Sequence, residues 1–345
     1  MQVPFSELGF LYLSFLEPSS MPVLPHSFLG GSAQRLRYLC LTSVPFPGLP
    51  ELLLSATHLV DLLLYNIPPS GYFSPEAMSS CLSMLTSLET LDIRFNSPQS
   101  SPDQENRRPP PPSRSVLPAL KNFLYEGISE YLEELVAHID TPQLYQFWAT
   151  FFNDIDFNTP KLIRFVSHSS ILKATNEAHL VFGSRTASVK LKPQASNNQY
   201  FQVIVSCGEQ DWQLSSLARI CAASLPLLST TDYLFIYEPS YLDLDWKDGI
   251  ENIEWLELLL PFTAVKTSTY PSNLRHVSRP LCRRSVRSGQ QNCFLPYRIS
   301  TWRGSRHRNL SRKALSDSFL LDSSPIALSP FLSGIESRRG MSRND

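Results

Sequence analysis

The feature that most constrains this chain is a sixfold recurrence of the apolar pattern L-x-x-L-x-L in its first half. It runs Leu8/Leu11/Leu13, Leu36/Leu39/Leu41, Leu59/Leu62/Leu64 and Leu88/Leu91/Ile93. It continues as Leu120/Phe123/Tyr125 and, more weakly, as Leu144/Phe147/Ala149. The last two apolar positions of each unit are two residues apart, so both point to one face of a short strand. The first position falls on the turn entering that strand. One such unit cannot bury its apolar face alone, whereas units laid side by side share a continuous core.

Helix signals fill the intervals. Residues 50–57 read as a short helix behind the turn at Pro47-Gly48. Ser74-Pro75-Glu76 supplies an N-cap, a first-turn proline and a first-turn acid. Ser129 is expected to cap a helix over 130–138, with Leu132, Leu135 and Val136 on one face. Strands recur in the second half at Ala178/Leu180/Phe182, Val189/Leu191, Phe201/Val203/Val205 and Leu234/Ile236. Helices are expected from Thr159-Pro160 to about His168, at 212–223 and at 251–260.

The units repeat at close to the roughly 20–29 residues of a leucine-rich repeat. The longer interval between Leu88 and Leu120 holds an insertion at 97–115, with Arg107-Arg108 and the prolines at 109–112, expected as an extended, solvated surface loop. A regular repeat places Asn or Cys three residues after the third leucine. Only Asn96 fits; Leu16, Val44, Ile67, Ile128 and Phe152 stand in the other units. The expected fold is therefore α/β, an irregular leucine-rich-repeat-like solenoid in a horseshoe arc over residues 1–266.

Charge divides the chain at Lys266. Lys and Arg number 30 against 31 Asp and Glu, a net charge of -1, which speaks against a chain-wide basic surface for nucleic acid. From Thr267 onward, 13 Arg and 1 Lys stand against 3 Asp and 1 Glu, a net +10. This Arg/Ser-rich segment, 267–345, is expected to be a disordered basic tail. The repeat pattern stops at Val265-Lys266 as if in mid-strand, and the bias toward Arg and Ser is what translation out of frame produces in GC-rich coding DNA. A basic tail that binds acidic partners and a localisation signal around 303–313 are rival readings.

Chemistry-bearing motifs are sparse. No GxSxG, HExxH, P-loop or GxGxxG pattern stands out. Cys40, Cys81, Cys207, Cys221, Cys282 and Cys293 form no CxxC pair or zinc-like cluster, and are expected as free thiols of a cytoplasmic or nuclear protein. His58 and His138 are expected near apolar helix ends. The pairs Asp154/Asp156 and Asp243/Asp245 read as solvated turns, and Asn309 as a chance glycosylation match. No catalytic residue, cofactor, metal or membrane segment is expected. What remains is a binding surface. If the leucines point inward, the residues between them line the concave face. Tyr12, Tyr38, Tyr65, Asp92, Arg94, Glu126 and Trp148 are its candidate partner-binding residues.

The phrases Ser129-Glu-Tyr-Leu-Glu-Glu-Leu-Val-Ala-His-Ile-Asp140, Asp211-Trp-Gln-Leu-Ser-Ser-Leu-Ala-Arg219, Glu251-Asn-Ile-Glu-Trp-Leu-Glu257 and Pro261-Phe-Thr-Ala-Val-Lys266 resemble a large fungal family of F-box and leucine-rich-repeat-like proteins. The resemblance covers roughly residues 1–266. It implies a non-catalytic adaptor whose F-box recruits a ubiquitin-ligase core and whose repeats present a protein substrate. It also implies that Lys266 should be followed by Asn-Leu-Tyr-Leu. The chain departs from that family pattern: Leu49-Pro50-Glu51-Leu52-Leu53 opens like an F-box, but the strand at Leu59 leaves no room for one. An F-box upstream would complete the adaptor. A fragment of a decayed or mis-assembled gene and an enzyme of unknown type are the alternatives.

Overall fold

The computed structural model describes residues 7–15, 23–97, 114–152, 159–169, 175–193, 199–207, 210–224, 226–237, 252–269 and 298–299. The strands stand where the repeat places them: β1 (Phe10–Ser14), β2 (Tyr38–Thr42), β3 (Asp61–Ile67), β4 (Thr90–Phe95), β6 (Asn122–Gly127) and β8 (Gln146–Phe152). They pair in parallel, and the repeat positions align across every junction: Leu11 on Leu39, Leu39 on Leu62, Leu62 on Leu91, Leu91 on Phe123 and Phe123 on Phe147. The short strands β5 (Ser115–Val116) and β7 (Ile139–Asp140) form a separate pair.

The architecture nevertheless differs from the expected solenoid. In a solenoid each unit stacks on the unit next in sequence. Here β8 is followed along the chain by β9 (Glu177–Phe182), β10 (Thr186–Lys192) and β11 (Tyr200–Ser206), yet its neighbour in the sheet is β11. The order then runs back through β10 to β9, with both of those pairings antiparallel, before β12 (Tyr233–Tyr237) resumes parallel pairing on β9. The connections 183–185 and 193–199 are too short for helical crossovers, so they force hairpins. The result is an α/β fold centred on one large, mostly parallel sheet, in which β13 (Thr267–Thr269) and β14 (Arg298–Ile299) follow β12.

Helices α1 (Leu49–Ser55), α2 (Pro75–Leu82), α3 (Ser129–His138), α4 (Pro160–His168), α5 (Gln210–Ser224) and α6 (Asn252–Leu259) pack each on the next. Their apolar sides and the inward strand residues form one core, with Leu39, Leu62, Leu91, Phe123, Phe147, Leu180 and Val189 all without exposure. Phe165 of α4 meets Phe123 and Phe147, and Trp255 of α6 meets Phe182, so both halves of the sheet are covered on this side.

Two of the positions where a ladder asparagine is missing explain themselves. Val44 and Ile67 are 6% exposed and belong to this core. Ser74 caps α2 as expected, its Oγ accepting from the Ala77 amide at 3.2 Å. Ser129 does not cap α3: the helix starts one residue earlier, and the Ser129 hydroxyl turns to Glu130. The start of α4 is capped from outside. Glu133 of α3 accepts from the amides of Lys161 at 3.0 Å and Leu162 at 2.7 Å, satisfying donors that Thr159 leaves open. Glu134 beside it pairs with Lys161 at 2.9 Å. The acidic phrase at 129–140 therefore lies at the joint between two helices.

The strand that the sequence left unfinished at Lys266 continues as β13, three residues beyond the expected boundary. The rest of the tail, apart from 298–299, lies outside the described residues. So do most of the insertion, Asp154, Asp156, Asp243, Asp245, Asn309, Cys282 and Cys293. The other four cysteines are free thiols.

Candidate binding face of the sheet

The residues between the inward positions all project to the side of the sheet away from the helices. Register makes them a continuous row: Tyr12, Cys40, Leu63, Asp92, Leu124 and Trp148, then Gln202, Lys190, His179 and Phe235. The expected central ladder is thus present in the expected order, and the sheet extends it by four positions.

The centre of the row is a compact ionic and aromatic cluster. Arg94 donates two parallel hydrogen bonds to Asp92, Nε to Oδ1 and Nη2 to Oδ2, each 2.9 Å. Its guanidinium lies 4.9 Å from the centroid of Tyr65 and 4.9 Å from that of Trp148, held between the two rings. Asp92 keeps 4% of its side-chain surface exposed and Arg94 18%. Burial pushes the Asp92 carboxyl up, while the bonds from Arg94 and the Tyr65 hydroxyl pull it back. Burial alone would lower Arg94, but the hydrogen bonds and charge of Asp92 outweigh it and hold the guanidinium protonated. Burial also raises Tyr65, with Asp92 adding to the shift.

Four of the candidate residues, Tyr65, Asp92, Arg94 and Trp148, therefore meet, and Glu126 adjoins them in register with Arg94. Glu126 is half-buried; burial raises its carboxyl, and the charge of Arg94 beside it pulls it part of the way back. It makes no hydrogen bond or ion pair among the described residues. Tyr38 and Tyr12 stand apart, toward the β1 edge. Tyr38 stacks on Phe10 at 4.3 Å and is pushed up to about 12 by burial and by Cys40. Tyr12 remains half exposed, at 53%.

Sequence reasoning missed a second cluster on the same face. His179 stacks on Phe235 at 4.7 Å and on Tyr237 at 5.6 Å, and its Nε2 donates to Glu177 at 3.2 Å. Lys192 pairs with Glu177, also at 3.2 Å. Burial, reinforced by Lys192, lowers His179 to about 4, so the ring is neutral at pH 7. Lys190 lies 4.2 Å from the centroid of Tyr200, with no carboxylate partner among the described residues. The signal was the alternation in β9, β10 and β12, whose inward residues were recognised. Placing the outward ones beside Trp148 required knowing that β11 pairs with β8.

Among the described residues, no group of three or more His, Cys, Asp or Glu side chains could hold a metal, and no helix is long and apolar enough to cross a membrane. His138 is 6% exposed, and its Nδ1 contacts the Glu134 carbonyl oxygen at 2.7 Å, tying it to its own helix. Comparison with family models, characterised proteins and solved structures finds no match.

Proposed function

We propose that this protein is a non-catalytic interaction module that binds a protein partner on the open face of its sheet. The observation that carries the reading is Arg94, held between Tyr65 and Trp148 and locked to buried Asp92. Arginine and large aromatics are the side chains that dominate protein interfaces. Here they are fixed before any partner arrives, which lowers the ordering cost of binding. The resemblance to the fungal F-box family supplies the setting: the substrate-recognition region of a ubiquitin-ligase adaptor, joined to a ligase core only where an F-box accompanies it.

The test is affinity capture from cell extract with the full chain, compared with Trp148→Ala and Arg94→Gln. Thermal unfolding of both variants confirms that they fold. Partners that bind here lose at least about tenfold in affinity with either change, about 1.4 kcal/mol. Equal capture by folded variants places binding away from this face.

A further inference from the structure

The two clusters on the open face differ in which charge lacks a partner. At the first, Asp92 and Arg94 cancel, and the unbalanced group is Glu126, with Asp61 the other carboxylate on that side. At the second, Lys192 and Glu177 cancel, His179 is neutral, and the unbalanced group is Lys190. Both residues are half-buried and without an ion-pair partner among the described residues, and Lys190 lies against the ring of Tyr200. Half-buried charges are costly when unpaired. A pair of opposite sign on one preorganised face therefore selects a ligand carrying the complementary pair.

We infer that the partner is a polypeptide segment that lies across β6, β8, β11 and β10 and presents a basic side chain to Glu126 and an acidic one to Lys190, with Trp148 and Gln202 beneath its middle. This rests on the reading of the face as a protein-binding surface. Register sets the spacing. Lys190 stands three strands across from Glu126 and two residues along. At about 4.8 Å between strands and about 3.3 Å per residue, the separation is about 16 Å. In an extended segment, side chains on one face four residues apart are about 13 Å apart. Their length covers the difference. The segment thus carries Lys or Arg and Asp or Glu at positions i and i+4.

Selection of short linear random peptides, displayed on phage, against the full chain tests this. The enriched peptides carry a basic and an acidic residue four apart. For a selected peptide, Glu126→Lys and Lys190→Glu each weaken binding at least about tenfold. Reversing the matching peptide charge restores most of the loss in each case, a rescue that a misfolded variant cannot give. Selected peptides that need Trp148 but carry no charge pair, or ignore both reversals, overturn the inference and leave the binding face standing. Peptides that are also indifferent to Trp148→Ala overturn the reading beneath it.

Discussion

The half of the sheet from β1 to β8 and the half from β9 to β13 share one core and one open face, yet they solve the same problem differently. The first half repeats a strand and a crossover, so every pairing is parallel and every apolar position falls in register with the last. The second inserts two hairpins, and its register is set by short turns rather than by a repeating unit. The ionic networks follow suit. In the first half an arginine fork closes on one deeply buried carboxylate. In the second, Glu177 is shared between a neutral histidine and a lysine that keeps 24% of its side-chain surface.

The sharpest way to break this comparison is to remove one carboxylate from each network. Asp92→Ala leaves the Arg94 guanidinium buried without its counter-charge, and should destabilise the protein by about 3–5 kcal/mol. Glu177→Ala frees a more exposed lysine and a histidine that is already neutral, and should cost about 1–2 kcal/mol. Urea unfolding of the two variants measures both. Equal losses would mean that the depth of Asp92 carries no special weight.

Acid should separate the halves next. His179 titrates at about 4 in the folded chain, against about 6.5 when unfolded. Above pH 6.5 both states hold it neutral and the full stability is present. As the pH falls from 6.5 through 4, the unfolded state takes up a proton that the folded state resists. Roughly 3 kcal/mol is lost across that window. His179→Phe keeps the stacking on Phe235 and Tyr237 and removes the proton, so its stability should decline less between pH 7 and pH 4 than that of the unaltered protein. Parallel decline in the two proteins would assign the acid sensitivity to other groups.

How much of this was legible in the sequence follows the same division. Leu39, Leu62 and Leu91 announced strands and their register, because a repeating unit constrains its neighbours. From that register Tyr65, Asp92, Arg94 and Trp148 could be placed on one face by sequence alone. Val189 and Leu191 announced a strand as well. The short connections on either side of β10 impose hairpins, but nothing local says that β11 rather than β9 lies against β8, so Lys190 and His179 could not be placed beside Trp148. Strand existence is written in side-chain alternation, whereas strand order is decided by long-range packing. The solenoid expectation failed on that distinction. The start of α4 shows the same division: Thr159-Pro160 marked the right place, and the capping carboxylate comes from Glu133 on another helix.

The smallest effect concerns the end of the inward row. From Leu11 through Leu39, Leu62, Leu91, Phe123, Phe147, Phe201, Leu191, Ala178 and Leu234, every aligned core position is apolar. The next, Ser268, pairs with Leu234 and is 1% exposed, and its hydroxyl has no hydrogen-bond partner among the described residues. A buried hydroxyl without a partner costs about 1–3 kcal/mol, and an apolar side chain there would add burial. A change of frame after Lys266 would account for the break: the Asn-Leu-Tyr-Leu that the family resemblance implies would put leucine at 268. Ser268→Leu should therefore raise stability by about 1–2 kcal/mol, measured by urea unfolding. A loss instead would mean that the space beneath β13 is already filled around serine, and that the strand is adapted to the residue it has. Genomic sequence settles the origin independently: a neighbouring frame that, after the Lys266 codon, meets an early stop or encodes nothing repeat-like leaves Ser268 a native feature of this fold.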